Sequence, residues 1–443
     1  MEKKIATIII LLAFIAKVAA QVEVHSSNQV GIGTTNPQYK LHVVGDAFVT
    51  GNFLIGTASN FLGTTGNYPL IFKSNNVLAG STGSSANTNI SFGYEALLNP
   101  QSALENTAVG YSALRFANGA NNIYSTAIGA YALYSAIASN RNTASGAYAL
   151  YSNTTGNSNN AFGTSALYSN TAGIANQAFG NNTLGANTTG IRNDAFGASA
   201  LPQNTTGSYN TSIGYLSLYA STTGDYNIAV GQRALGGITT GSYNTAVGNN
   251  AGYSSAFTNS TSIGNNSLAT SSNQVKIGNN YVTSIGGYAA WSNFSDGRAK
   301  KNIRTDVPGL SFINSLQPVT YNLDLDAIDE LLKSANHGFN YKDSIGVEDP
   351  TYQKWVEIEK KAREAKEKII QTGFVAQDVE KAAKSVGYDF NGVDVDELGI
   401  YGLRYAEFVV PLVKAVQELS EQNERLQEQI NELKRRLEIM ENK

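Results

Sequence analysis

The chain of 443 residues has no cysteine. Disulfide staples and a lipoprotein attachment thiol are therefore excluded, and stability outside a cell would have to come from packing or assembly. Histidine is almost as scarce: His25, His42 and His337 stand apart without metal-ligand spacing, so neither a metal nor a cofactor is expected. No GxxxxGK(S/T) phrase is present to cradle a phosphate. Basic residues nowhere alternate with aromatics in a patch, which removes nucleic acid as an expected partner. Beyond the first twenty residues no apolar run reaches eighteen, so no spanning helix is expected in the mature chain.

Charge is sparse as well, and unevenly placed. Residues 295–443 hold 48 of the 65 Lys, Arg, Asp and Glu, whereas residues 93–278 hold nine. A net charge of -3 therefore conceals two physical regimes in one chain, and 42% apolar content rules out wholesale disorder. At the N-terminus, Lys3 and Lys4 precede the uncharged run "IATIIILLAFIA", followed by Val18 and Ala20 at the small-residue positions of a cleavage site. This predicts a secretory signal peptide over residues 1–20, cut between Ala20 and Gln21. The run is short for a membrane span and carries Lys17 on its far side.

What is abundant is a phrase ending in glycine: "ISFG", "TAVG", "TAIG", "NAFG", "QAFG", "DAFG", "TSIG" and "VKIG" recur between residues 90 and 278. From Gly129 to Gly248, seven consecutive steps are 17 residues long; steps of 17 and 19 come before them and 16 and 14 after. Regularity over this length is architecture. Alternation such as "NTAVGYSAL" predicts a short strand and "NTTGSYN" a turn, so strand, turn, strand and turn would make one coil. Seventeen residues suit one rung of a β-solenoid or β-roll, whose Ala, Ser, Thr and Gly let rungs stack closely. The Asn-x-Thr/Ser triplets at Asn153 and Asn187 follow from composition, and no glycan is assigned to them. Acidic pairs for glycoside hydrolysis could come only from Glu95, Glu105, Asp194 and Asp225 within the repeat, which lie far apart along the stack.

The repeat resembles the heads of trimeric autotransporter adhesins, in which phrases like "AVGxxA" build a three-chain β-roll. Ahead of it, "NQVGIGTTNPQYKLHVVGDAFVTGNFLIG" (28–56) resembles segments of phage tail-fibre-like proteins of bacteria. Behind it, "SDGRAKKNI", "GFVAQDVE" and "YGLRYAEFVVPLVKAVQEL" occur in that order within the last 149 residues. Together they resemble the C-terminal intramolecular chaperone domain of phage endosialidases and related tail spikes. That resemblance implies a domain that trimerises, templates folding of the β-rich part upstream, and releases itself by cutting the bond before its own serine. Carried over, Ser295 is the nucleophile, Lys300 the base and Phe294–Ser295 the bond cut, with Asp296, Arg298 and Asn302 in supporting positions. The endosialidases' sugar-cleaving activity does not carry over, because the chain has no room for their glycosidase domain.

The chemistry is plausible on its own terms. A serine hydroxyl needs a base, and a neutral lysine amine can serve. A lysine of ordinary pKa, about 10.4, is rarely neutral at pH 7, so burial or the neighbouring Arg298 and Lys301 must lower it. Five residues on a helix leave Ser295 and Lys300 about 140° apart, and an odd spacing on a strand puts them on opposite faces. A bend or a partner chain must bring them together, and the second possibility would gate cleavage by assembly. Val409, Val416, Asn423, Ile430 and Leu437 interleave with Leu412, Leu419, Leu426, Leu433 and Met440 as a coiled-coil heptad. Its β-branched and leucine core with one asparagine favours dimers in parallel coiled coils, so the trimer rests on the resemblance.

The expected fold is a mainly β N-terminal solenoid or β-roll of 17-residue repeats, then an α/β chaperone domain and a C-terminal coiled coil, in a fibrous homotrimer. The expected segments are a signal peptide (1–20), a tail-fibre-like β region (21–92), the shaft (93–278), a linker to the cleavage site (279–294), the chaperone (295–408) and the coiled coil (409–443). The expected protein is exported, extracellular or on the surface of a bacterium. It is adhesin-like, with a cell-surface glycan or host-surface ligand for its shaft. Its one catalytic activity would be a single-turnover serine self-cleavage; the alternative is a permanent, uncleaved trimeric adhesin.

Overall fold

The computed structural model describes residues 22–25, 29–32, 36, 41–43, 70–74, 77–83, 88–98, 103–117, 123–253, 257–289, 291–332 and 350–442. The expected signal peptide lies outside these residues. The chain divides into two compact units, Met1–Thr65 and Gly66–Lys443. In the first, Val22–His25 pairs antiparallel with Gln29–Ile32, which pairs in parallel with Leu41–Val43.

The second unit begins with a hairpin, Ile71–Ser74 and Val77–Ser81, that pairs antiparallel with the first rung of a solenoid. Twelve three-residue strands, from Ile90–Phe92 to Val275–Ile277, then stack in parallel and in chain order. Their register is the sequence repeat itself: Asn160 pairs with Gln177, Ala161 with Ala178 and Phe162 with Phe179. With the side chains of a strand alternating between faces, the middle residue of each but the last, where Lys276 is exposed, points inward. Ala144, Ala161, Ala178 and Ala195 are fully buried there. Only small residues fit, because Leu150, Leu167, Leu184 and Leu201 fill the interior from the opposite side of the coil, also fully buried.

Each coil holds one strand, not the two that the alternation predicted. After each strand the chain turns instead of extending: Ser165 and Leu167, for example, take φ +56° and +52°. Their N–H groups still reach neighbouring rungs, Ser165 donating to the Ala147 carbonyl at 2.9 Å and Leu167 to the Thr183 carbonyl at 3.0 Å. A left-handed L residue costs roughly 1–2 kcal/mol, while burying a leucine side chain contributes about 1.5–3 kcal/mol. The two nearly offset, so a rung alone is worth little and stacking is obligatory. The glycine period has a matching cause. Gly163 sits at φ +134°, and a Cβ on it would run into the carbonyl of Gly180 in the next rung.

Two columns of buried asparagine run along the interior. In one, the Asn159 side-chain oxygen accepts from the Asn176 N–H at 3.0 Å and from its side-chain nitrogen at 3.1 Å, and Asn176 repeats the pattern toward Asn193. In the other, Asn170 donates to Asn153 and Asn187 to Asn170, both at 2.7 Å. Asn153 and Asn187, the asparagines of the glycosylation-like triplets, are thus structural members of a ladder and fully buried.

The C-terminal region is mixed α/β. A short helix, Leu310–Ile313, precedes the antiparallel pair Val319–Tyr321 with Gln371–Gly373, and helix Ala376–Ser385 is followed by the pair Val393–Val395 with Tyr401–Leu403. Phe312, Val379, Phe390 and Phe408 form the core, with ring centroids of Phe390 and Phe408 4.8 Å apart. Phe374 donates its N–H to the Tyr405 hydroxyl at 3.2 Å, so the "GFVAQDVE" and "RYAEF" phrases meet in the same core. The last element is a 33-residue helix, Val409–Glu441. Glu418 on it accepts the Leu310 N–H at 2.7 Å and fixes its first turns to the domain. Its heptad side chains, including Val416, Leu426, Ile430 and Leu433, stand exposed in the single chain.

Candidate functional site

The charged cluster after the shaft folds into one tight turn. Asp296 caps a 3-10 helix, Gly297–Ala299, its carboxylate accepting from the Arg298 N–H at 2.9 Å. The Arg298 side chain folds back onto the same carboxylate, Nε at 3.1 Å from both oxygens and a terminal nitrogen at 2.6 Å. The Arg298 guanidinium, with the Arg298 N–H second, holds the Asp296 carboxyl below the usual carboxylate range. The Lys300 N–H closes the turn on the Gly297 carbonyl at 3.1 Å. Asn302, at φ +56°, reverses the chain at the end of the cluster in a conformation that asparagine tolerates.

The consequence is a contact. The Lys300 ammonium donates to the Ser295 Oγ at 2.9 Å. Of the two routes the five-residue spacing left open, a bend is the one present: a 3-10 turn advances three residues per turn, and with the Asp296–Arg298 fork it folds Lys300 back over Ser295 within one chain. The approach of Lys300 to Ser295 therefore needs no partner subunit. As drawn, the nitrogen is the donor; the same pair with the lysine neutral and the hydroxyl donating is the arrangement of a nucleophile with its base. Phe294, Ser295 and Lys300 are all exposed, and a Cβ on Gly297 would meet nothing within 4 Å. The turn stands off the body of the domain, unlike the other two landmark phrases, which are packed together.

The acidic residues of the shaft are not brought together. Glu95 is paired with Arg115 at 3.2 Å, Asp225 accepts the Ser208 N–H at 2.7 Å, and Asp194 lies on a strand several rungs from Glu95. What sequence reasoning missed is a group between the end of the shaft and the C-terminal domain: Tyr281, Asp329, Glu359 and Arg363, joined by hydrogen bonds and an ion pair. No local spacing signals it, since Tyr281 and Glu359 are 78 residues apart in the chain.

No curated protein and no solved structure matches the chain. A family model, that of the chaperone of endosialidase, matches residues 295–388 and begins on the serine whose hydroxyl Lys300 reaches. The α/β region that follows the β-solenoid is therefore similar, from Ser295 to residue 388, to the chaperone domain of endosialidases.

Proposed function

We propose that the chain is an exported, homotrimeric, fibre-like surface protein whose C-terminal domain directs assembly of the shaft and then cleaves the chain at Phe294–Ser295. The observation that carries this reading is the 2.9 Å contact between Lys300 and Ser295 at the first residue of the matched segment. In the step envisaged, the Ser295 Oγ adds to the Phe294 carbonyl carbon while its proton passes to a neutral Lys300 amine. That proton is then delivered to the departing Ser295 nitrogen, leaving an ester between Phe294 and the serine oxygen. Water hydrolyses the ester to a Phe294 carboxylate and restores the hydroxyl. Burial of the turn in the assembled trimer would favour the neutral amine, which makes assembly the condition for the chemistry even though the pair meets in one chain.

Two apolar stripes support self-association. One is the heptad face of the terminal helix; the other runs along the outer face of the strand ladder through Val109, Ile128, Phe162, Phe196, Ile213 and Val247, all exposed in the single chain. A column of tyrosines, the half-buried Tyr209 and the exposed Tyr226 and Tyr243, with ring centroids 4.8 and 5.2 Å apart, is the surface offered to a glycan or other host-surface ligand.

The second reading is an uncleaved trimeric adhesin that keeps the domain as a permanent clamp; the exposure of Ser295 and Lys300 in the single chain favours it. Intact mass under denaturing conditions separates the two. Wild type is expected to yield two pieces meeting at Phe294–Ser295 and Ser295→Ala a single whole chain. Two whole chains from folded oligomers would leave the clamp as the function.

A further inference from the structure

The peptide segment joining shaft to chaperone makes little contact with either. Its described residues between 282 and 306 are exposed, Asp296 excepted, and a Cβ on Gly286 would meet nothing within 4 Å. The two parts are instead joined by side chains that come from opposite sides of the candidate cut. On the shaft side, the Tyr281 hydroxyl hydrogen-bonds to the Glu359 carboxylate, and the Arg363 guanidinium lies 5.7 Å from the centre of the Tyr281 ring. Arg363 is itself held by Asp329 at 2.5 Å and Asp326 at 2.6 Å. Asn280 donates to Asp329 at 2.8 Å, and Lys366 donates to the Val282 carbonyl at 2.8 Å. A second group lies on the last turns of the solenoid: the Thr270 hydroxyl donates to Asp396 at 2.5 Å, and the Ser272 N–H donates to Glu397 at 2.7 Å.

We infer that these residues form a noncovalent clasp whose partner is the chain's own C-terminal domain, so that cutting the chain at Phe294–Ser295 does not by itself release the chaperone. The inference rests on the cleavage reading above, because only a cut chain needs a second attachment. The Arg363 ion pairs with Asp326 and Asp329 lie within the C-terminal domain, and every other contact just described bridges residues 270–282 to residues 329–397, so all of them survive hydrolysis at 294–295. The desolvated Tyr281 phenol, next to the Glu359 carboxylate, is pushed upward and stays a donor at any physiological pH. Beside the clasp lies an open cleft of about 570 Å³, lined by Leu268, Lys276, Val282, Ile328 and Leu332 among others, so the junction is not a dry packed core. Attachment then depends on charge-assisted hydrogen bonds, which salt weakens. Cutting and release become separate events, the first set by Ser295 and Lys300, the second by the ionic conditions at the clasp.

The test uses the full chain carrying Ser295→Ala, so that nothing depends on self-cleavage, with a site-specific protease sequence inserted between Gly286 and Gly287. After nicking, the pieces are expected to co-elute at about 0.1 M salt, where the screening length is about 10 Å, and to separate at about 1 M, where it is about 3 Å. Tyr281→Ala with Thr270→Ala, both on the shaft side, should weaken retention about tenfold at the lower salt. Glu359→Gln, which keeps shape and removes charge, should act in the same direction with unchanged far-UV circular dichroism, and guards against misfolding of the first variant. Separation of the parent pieces as soon as the chain is nicked at low salt overturns the inference. So does retention that neither variant alters. Failure of the cleavage reading would show elsewhere, as a wild-type chain that stays whole, and would leave the outcome of nicking unaffected.

Discussion

Asn193→Ala tests whether the asparagine ladder, and not apolar burial alone, holds the shaft. The side chain is fully buried. Its oxygen accepts the Asn210 N–H at 3.1 Å and the Asn210 side-chain nitrogen at 3.0 Å; its nitrogen donates to the Asn176 oxygen at 3.1 Å and the Gly207 carbonyl at 2.8 Å. After truncation the Asn176 oxygen keeps the Asn193 N–H, the Gly207 carbonyl keeps Asn204, and the Asn210 side chain keeps the Gly224 carbonyl. The group left without its acceptor is the buried Asn210 N–H. An orphaned buried donor costs about 1–3 kcal/mol and each of the other three bonds about 0.5–1.5 kcal/mol net, so the loss should be about 2.5–7.5 kcal/mol. Because a rung contacts only its neighbours, the loss should be local. Hydrogen exchange of amides in residues 176–227 should accelerate, with the rungs near Gly110 unaffected, and the urea midpoint of the shaft should fall. Thr206→Ala, at an exposed site in the same turn, is the control and should change stability by no more than about 0.5 kcal/mol. Equal stability of the two variants would refute the ladder as a main source of cohesion.

Arg298→Gln removes the fork that closes the turn, so Lys300 is no longer folded back over Ser295; cleavage should slow about 10–100-fold, the scale expected for a misplaced group, and an unchanged rate contradicts the positioning argument. The same substitution should raise the Asp296 carboxyl, which a carboxylate carbon titration by NMR would follow. With Arg298 in place the folded value is depressed, so the pair's contribution to the turn is present above the unfolded value of about 3.9 and is lost as pH falls through the folded one. Leu426→Asp puts a charge on the exposed heptad face of the terminal helix and forfeits about 1.5–3 kcal/mol of burial per chain in any assembly through that face. Sedimentation should then find smaller species with helix content intact, and an unchanged oligomer would exclude the heptad as an interface.

The stack was legible because two signals coincide at Gly163 and its equivalents: a 17-residue period and a backbone position that a Cβ cannot occupy. The hand of Leu167 was not. Alternation around it reads as extended chain, and only the close interior forces the left-handed turn that delivers the leucine inward. The period in asparagine was equally visible at Asn159, Asn176 and Asn193, but a sequence so rich in that residue hides a ladder behind composition. At the junction, the motif pointed to Ser295 and Lys300 while the spacing gave no geometry, because a 3-10 turn of three residues belongs to neither of the periods by which helices and strands are read. Tyr281 and Glu359 carry no local pattern at all, and only the folded chain places them together.

The central claim is that the domain beginning at Ser295 is needed for the shaft to assemble, and the most direct measurement is the native mass and yield of the shaft made with and without it. Chains ending at Phe294 and full-length chains would be expressed side by side and weighed by sedimentation equilibrium. The account predicts a folded trimeric shaft from the full-length chain, and monomeric or aggregated material from the shortened one. A shortened chain that reaches the same trimer in the same yield would contradict a chaperone role for residues 295–443.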